Sequence, residues 1–280
     1  MSRADLPRTA FVLGGGGVLG ATQVGMLHAL FEHGIRPDLI LGTSIGSVNG
    51  AFVAADPTQA SAERLTALWK QVREEGDFLE SPLKQAARAA KYRTHFMSVR
   101  PLKRLVEENL AVERIEDLAV PFQCVAAHIE SSKARWFTSG PITQAILASC
   151  AVPGMFPPVE IDGQHFLDGG LVHSIPVGRA LALGATEIYV LQVGRVEQPL
   201  NVPTKPWEVA SVAFEIARRH RYHEELDSVP DHVRLHVLPS GSSSAPAISI
   251  AQGVGARIEQ RSDQAYAASV AYLDKVASGG

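Results

Sequence analysis

Short apolar runs alternate along the chain with segments in which apolar residues recur every three or four positions. An apolar run at 11–13 precedes a helical segment over 21–33, which Gly34 ends as a C-cap. A second apolar run at 37–41 precedes a helix predicted over 48–55. Two consecutive strand-turn-helix units predict parallel strands joined by right-handed crossovers. Both turns therefore open at the same edge of a sheet and lie side by side.

The same alternation continues through the rest of the chain. Residues 60–110 are mostly helical in pattern, and residues 165–168 form a short strand. We predict further strands over 122–127, 134–138, 187–193 and 233–238, and helices over 142–149, 177–183, 207–226 and 256–276. This pattern predicts an α/β fold, a three-layer α/β/α arrangement around a mostly parallel central sheet, as one domain over 1–280.

Two basic stretches interrupt the pattern without changing the predicted fold. Lys84, Arg88 and Lys91 follow one another at spacings of four and three and form a stripe on a helix. The second stretch covers 218–223, late in the long helix predicted over 207–226. Charged stripes lie on solvated helix faces in most proteins, so we expect both to be exposed to solvent rather than to serve as a membrane anchor or a lid.

Composition excludes several classes of protein. Apolar residues make up 46% of the chain, charged residues 20%, and the formal net charge is −3, which gives no overall attraction to nucleic acid or to an anionic membrane. Cys124 and Cys150 lack metal-site spacing, so free thiols in a reducing compartment are expected. No apolar stretch is long enough for a membrane span or an export signal. We therefore expect a cytoplasmic protein, whose contact with a membrane is at most peripheral.

Four consecutive glycines, Gly14 to Gly17, follow the first apolar run, and Gly20 comes three residues later. Glycine is costly to fix, so this loop indicates that bare backbone approaches another group closely. Backbone N–H groups at such a turn bind an anion, either a phosphate or the oxyanion of an acyl-transfer reaction. A dinucleotide site also fits, but it requires an acidic residue at the end of the second strand, and Asp38 precedes that strand.

Gly42, Ser44 and Gly46 fit G-x-S-x-G, the turn that exposes a nucleophilic serine between a strand and a helix. An ordinary strand-to-helix turn can have the same spacing. A serine needs a base to remove its proton, and ten histidines are available. Six lie outside glycine turns: His28, His33, His220, His223, His232 and His236. His173 is closer, but it follows Asp168 by only five residues. Asp168 ends a strand and precedes Gly169 and Gly170, so its carboxylate is the preferred base. The alternative is that Asp168 only stabilises the glycine turn.

Three stretches in this order resemble the signatures of the patatin-like phospholipases: 15–20, 42–46 and 168–170. Residues 149–159 and 171–177 are also similar, so the likeness covers most of 9–195 and leaves a strand and helices in 196–280. The resemblance implies that Ser44 is the nucleophile, that Asp168 is the general base, and that the N–H groups of Gly16 and Gly17 form the oxyanion hole. The motif glycines are Gly15, Gly20, Gly42, Gly46, Gly169 and Gly170.

The resemblance also implies a serine acyl hydrolase that cleaves lipid esters, phospholipids or lysophospholipids, with no cofactor, no metal and no nucleic-acid partner. Two positions depart from the family pattern: Leu19 stands where Arg or Lys is usual, and His173 where Asn is frequent. Leu19 removes a charge beside the glycine loop, and His173 is placed to modulate Asp168. The alternatives are a non-catalytic lipid-binding protein of the same fold, a dinucleotide-binding protein, and an ordinary α/β-hydrolase, whose serine comes later in the chain.

Overall fold

A computed structural model describes residues 8–75, 82–193, 199–241 and 258–279. In these ranges eight strands form one sheet. Their order across the sheet is β5-β6-β3-β2-β1-β7-β8, and β4 pairs with β3. The strands are β1 (Thr9–Leu13), β2 (Leu39–Thr43), β3 (Phe122–His128), β4 (Lys133–Phe137), β5 (Val159–Ile161), β6 (Gln164–Asp168), β7 (Glu187–Leu191) and β8 (Arg234–Val237).

The pairing is parallel through the centre of the sheet and antiparallel on one side. β1 pairs in parallel with β2 and β7, and parallel pairing continues to β3 and β8. β3 pairs antiparallel with β4 and β6, and β5 with β6. β3 and β4 are joined by a short turn, as are β5 and β6, and these turns leave no room for a crossover helix. The prediction of an α/β fold with a mostly parallel sheet is confirmed.

Helices cover both faces of the sheet. They are α1 (Ala21–Glu32), α2 (Ile45–Ala55), α3 (Gln59–Glu75), α4 (Pro82–Tyr92), α5 (Arg100–Asn109), α6 (Ile142–Ser149), α7 (Val177–Ala182), α8 (Pro206–Asp227) and α9 (Ile258–Ser278). No helix in the described part of the chain is long and apolar enough to cross a membrane.

Two separate cores explain the three layers. Successive side chains of a strand point to opposite faces, and β1 shows this alternation. Phe11 and Leu13 belong to the larger core, with side chains of α1, α2, α3, α5, α6 and α9. Ala10 and Val12 belong to the smaller core on the other face, with side chains of α7 and α8. The carboxyl ends of β1 and β2 therefore emerge between two helical layers.

Candidate active site

Ser44 occupies a sharp turn between β2 and α2. The helix begins at Ile45, three residues earlier than the predicted start at 48, so Ser44 is its N-cap residue, with φ 54° and ψ −127°. A positive φ is uncommon for a residue with a side chain. A Cβ atom at Gly46 would lie 2.2 Å from the Leu13 carbonyl oxygen, and one at Gly42 would lie 2.6 Å from the Gly46 oxygen. Close packing of backbone therefore requires both flanking glycines.

Asp168 ends β6 and faces the serine. The Ser44 hydroxyl donates a hydrogen bond to Asp168 Oδ2 at 2.6 Å, and the Gly170 N–H donates to Oδ1 at 2.7 Å. Asp168 is thus both the carboxylate partner of the serine and the cap of the glycine turn. Burial raises the pKa of Asp168 to about 6, against the lowering effects of the bonds from Ser44 and Gly170 and of the Arg218 charge. The carboxylate is ionised, and able to accept a proton, above that pH.

The glycine loop lies against this pair, as predicted from the two consecutive strand-turn-helix units. A Cβ atom at Gly15 would lie 3.2 Å from the Ser44 Cβ. The Gly15 N–H donates to the Ser174 carbonyl oxygen at 3.0 Å and the Gly14 N–H to the Leu191 oxygen at 3.2 Å. Among the described residues, the N–H groups of Gly16 and Gly17 have no acceptor. Both glycines line the same cavity as Ser44 and Asp168.

Two of the other motif glycines also allow close contact between segments. A Cβ atom at Gly20 would lie 2.5 Å from Ile45 Cγ1, and one at Gly169 would lie 2.1 Å from the Val125 carbonyl oxygen. Gly20 therefore lets the glycine loop approach the start of α2, and Gly169 lets the end of β6 approach β3. The three motifs are packed against one another at one edge of the sheet.

Arg218 contradicts the expectation that the basic stretch over 218–223 is solvated. Its side chain is buried, as is that of Arg219, whereas His220, Arg221 and His223 are exposed as predicted. The Arg218 guanidinium donates to the Gly15 carbonyl oxygen at 2.6 Å and to Ser174 Oγ at 2.9 Å. The buried Glu215 carboxylate, one turn earlier in α8, accepts from it at 2.6 Å. A buried guanidinium is stable here because its donors meet a carboxylate and fixed acceptors.

Leu19 and His173 are the two departures from the family pattern, and neither makes a side-chain hydrogen bond to Ser44 or Asp168 among the described residues. Leu19 is buried, and Arg218 supplies a positive charge to the loop from another part of the chain. The His173 imidazole is hydrogen-bonded to Glu225 at 2.7 Å, and its carbonyl oxygen accepts from the Thr43 hydroxyl at 2.7 Å. His173 therefore fixes the segment after Asp168 to α8 and β2, and its imidazole bonds Glu225 instead of the Asp168 carboxylate.

The Ser44 hydroxyl opens into a cavity of about 150 Å³. A dry cavity of that size holds a benzene-sized apolar group. Most of the lining is apolar and comes from four helices, the connection before α5 and the segment after α6: Ile45, Val48, Leu68, Trp69, Val72, Met97, Leu102, Leu105, Val152, Met155, Phe156 and Phe214. Cys150 also lines it, but burial raises the pKa of its thiol well above the ordinary value, so the thiol stays protonated.

Other candidate chemistries find less support in the geometry. Asp38 lies at the opposite edge of the sheet, where it accepts from the N–H groups of Arg8 and Thr9. All ten histidines lie in the described ranges, and none is hydrogen-bonded to Ser44 or Asp168. Across residues 8–75, 82–193, 199–241 and 258–279, no group of three or more His, Cys, Asp or Glu side chains could hold a metal ion.

Comparisons with known proteins show which sequences and structures this chain is similar to. Residues 11–181 match the family model described as "Patatin-like phospholipase". A patatin-like phospholipase domain-containing protein of Caenorhabditis elegans is 35% identical over 197 residues, which are 67% of this chain and 14% of that protein. Lysophospholipase NTE1 of Mycosarcoma maydis is 32% identical over 194 residues, 66% of this chain and 10% of that protein. The chain thus spans a small part of these relatives.

A solved structure shows the same fold at low sequence identity. VipD from Legionella pneumophila superposes with a TM-score of 0.51 and 14% identity, over 96% of this chain and 67% of that chain.

Proposed function

Because this chain belongs to the patatin-like phospholipase family, we propose that it is a serine acyl hydrolase that cleaves lipid carboxylic esters. The observation that carries the proposal is the 2.6 Å hydrogen bond from the Ser44 hydroxyl to the buried Asp168 carboxylate. A serine is a weak nucleophile until a positioned base removes its proton. Asp168 is the carboxylate in position to do so.

In the acylation step, Ser44 Oγ attacks the ester carbonyl carbon while its proton passes to Asp168 Oδ2. The carbonyl oxygen becomes negatively charged, and the N–H groups of Gly16 and Gly17 are the donors proposed to stabilise it. When this intermediate collapses, the bond to the alcohol oxygen breaks. The leaving alcohol takes the proton from Asp168, and the acyl group remains on Ser44.

The second step releases the acid. A water molecule gives a proton to Asp168 and attacks the acyl carbon, and the same N–H groups stabilise the new oxyanion. Collapse breaks the bond to Ser44 Oγ, which recovers the proton from Asp168. The enzyme returns to its starting state, and no cofactor is consumed.

The cavity and the relatives together indicate the substrate class. Its apolar lining suits an acyl chain, and burial of such a chain contributes about 0.8 kcal/mol per CH₂ group. Relatives of this chain bear the name lysophospholipase, so we propose phospholipids or lysophospholipids as substrates. Arg218 supports the reaction by holding the Gly15 carbonyl and stabilising the ionised form of Asp168.

Covalent labelling with a fluorophosphonate, followed by mass spectrometry of the peptides, tests this proposal. We expect the label on Ser44 and on no other serine. Ser44→Ala removes it, whereas the control Ser269→Ala, which deletes a buried hydroxyl in α9 far along the chain, keeps it. A folded wild-type protein that is not labelled and does not hydrolyse lysophospholipid contradicts the proposal. If that protein still binds lipid, the non-catalytic alternative is favoured.

A further inference from the structure

Two buried amide side chains are hydrogen-bonded to each other next to the glycine loop over 14–20. Gln23 belongs to α1 and Asn49 to α2, and neither has any surface exposed to solvent. The Asn49 amide nitrogen donates to Gln23 Oε1 at 2.8 Å, so the two side chains form an amide pair. The described residues that line the cavity at Ser44 do not include this pair, so a substrate in that cavity does not touch it. A buried amide is costly unless its polar atoms are hydrogen-bonded, so the partners of the pair show what it holds.

The amide pair holds both ends of the glycine loop. Gln23 Nε2 donates to the Gly14 carbonyl oxygen at 2.9 Å, where the loop begins. The same nitrogen donates to the Leu191 oxygen at the end of β7, also at 2.9 Å. Asn49 Nδ2 donates to the Gly20 carbonyl oxygen at 3.0 Å, where the loop ends. The N–H groups proposed for the oxyanion hole lie between these two attachments.

The neighbouring groups permit only one orientation of each amide. The Trp69 indole N–H can only donate and lies 3.2 Å from Asn49 Oδ1, so the Asn49 nitrogen must face the other way, toward Gly20. The two carbonyl oxygens beside Gln23 can only accept, so its nitrogen must face them and its oxygen must face Asn49. In this arrangement all four amide hydrogens of the pair are donated. Reversing either amide would place its oxygen against a carbonyl oxygen.

Trp69 connects the amide pair to the wall of the apolar cavity. Its side chain lines that cavity, and a Cβ atom at Gly20 would lie 2.6 Å from Trp69 Cζ2. The ring therefore packs against the last glycine of the loop, while its N–H fixes the orientation of Asn49. Glycine leaves the backbone many conformations, so without such attachments little would fix the direction of the N–H groups in the loop.

We propose that Gln23 and Asn49 are positioning residues, which fix both ends of the glycine loop so that its central N–H groups point at the carbonyl oxygen of the substrate. This inference rests on the proposed function, because the oxyanion is the group that those N–H groups would stabilise. Donors accelerate a reaction only when they are already in place where charge develops, and a misplacement of about 1 Å can cost about 10²-fold in rate. Loosening the loop should therefore lower kcat and leave KM nearly unchanged, because the lining of the cavity stays the same.

Amide hydrogen exchange, followed by mass spectrometry, tests the attachment of the loop without any substrate. Gln23→Met keeps the length of the side chain and deletes its hydrogen bonds. We expect a peptide that contains residues 14–20 to exchange about tenfold faster or more in this variant than in the wild type. The matched control is Gln59→Met, which deletes a half-buried amide bonded to His28 at 2.8 Å, in the same helix as Gln23. In the control, the same peptide should exchange within about twofold of the wild-type rate.

Hydrolysis of a soluble ester tests whether the attachment serves the reaction. We expect kcat of Gln23→Met to fall roughly tenfold or more while KM stays within about twofold of the wild-type value, and Gln59→Met to keep both values. Thermal unfolding checks that each variant is folded. If Gln23→Met does not fold, Trp69→Phe replaces it, because it keeps an aromatic ring in the cavity wall and deletes the N–H bond to Asn49. Exchange of the loop peptide should then rise and kcat should fall in that variant.

Exchange of the loop peptide that is unchanged in Gln23→Met, or equally faster in Gln59→Met, overturns the proposal. Faster exchange with an unchanged kcat also overturns it, because the amide pair would then serve the structure alone. A raised KM with an unchanged kcat assigns the pair to substrate binding instead. Fluorophosphonate labelling of the wild type at Ser44 reports separately on the proposed function. If the wild type is neither labelled nor active, the proposed function fails, and hydrogen exchange still decides whether the pair fixes the loop.

Discussion

Replacing Asp168 by Asn tests whether the proposed base is a carboxylate held in a site that disfavours its charge. The variant keeps the shape of the side chain and removes the proton acceptor. We expect hydrolysis to fall by about 10²- to 10⁴-fold, the range typical of a lost general base. We also expect the stability of the variant relative to the wild type to rise with pH, because the amide has no charge to bury.

The size of the stability effect follows from the raised pKa. An unfolded aspartate ionises near 3.8, whereas Asp168 in the fold ionises at about 6. Between those values unfolding releases a proton, so wild-type stability falls as the pH rises through this window. The difference of about 2 pH units corresponds to about 3 kcal/mol. With an unfolding entropy of about 2.1 cal/mol/K per residue, this is roughly 5 °C in melting temperature.

Urea unfolding of both proteins between pH 4 and pH 8 is the assay. The free energy of unfolding of Asp168→Asn minus that of the wild type should grow by about 2 kcal/mol from pH 4 to pH 8, because part of the total lies below pH 4. Any change in the free energy of unfolding that the amide causes equally at every pH cancels when the two ends of the pH range are compared. Asp231→Asn, an exposed control, should show no such trend. A difference that stays constant with pH refutes the reasoning, because Asp168 would then ionise like an ordinary aspartate.

Further predictions concern the same site. For a soluble uncharged ester, kcat/KM should fall tenfold per pH unit below about 6, because protonated Asp168 cannot act as a base. A kcat/KM that stays constant down to pH 4 contradicts this prediction. Arg218→Met should shift the fall in kcat/KM to higher pH, because the guanidinium lowers the pKa of Asp168, and Arg218→Lys should shift it less. If the pH dependence is unchanged in Arg218→Met, the Arg218 charge does not act on Asp168. Gly46→Ala should cost roughly 1–3 kcal/mol or more in urea unfolding, because its Cβ would lie 2.2 Å from the Leu13 carbonyl oxygen. In Gly50→Ala, where the nearest atom is a side-chain methyl at 3.1 Å, the loss should be smaller, and equal losses contradict the packing argument.

Much of the fold was predictable because hydrophobic periodicity and turn residues agree with each other. The helix predicted over 142–149 has the observed limits of α6, and the parallel arrangement of β1 and β2 follows from two short strand-turn-helix units. β5 was missed because it has three residues and exists only through its pairing with β6. The start of α2 was predicted late because the glycine motif looks like a loop in sequence, although its last residues are helical.

The site was less predictable where long-range packing decides the environment of a charge. Ser44, Asp168 and the glycine loop could be selected from motifs, and their proximity is a contact across 124 residues of sequence. Arg218 was assigned to solvent because arginine runs are usually exposed. The available signal was the spacing of Glu215, Arg218, Tyr222 and Glu225, which places all four on one face of α8. All four are buried there.

The attachment of the glycine loop has a consequence for dissecting the protein. The family match ends at residue 181, and every motif residue lies before that point. The loop, however, also depends on residues after 181. The Leu191 carbonyl oxygen accepts hydrogen bonds from the Gly14 N–H and from the Gln23 side chain in α1, and the Gly15 carbonyl oxygen accepts one from Arg218. A fragment cut at 181 therefore keeps Ser44, Asp168 and all the signature glycines, yet lacks the acceptor and the cation that hold the loop in place. The smallest fragment that keeps the glycine loop attached on all sides extends at least through Arg218 in α8.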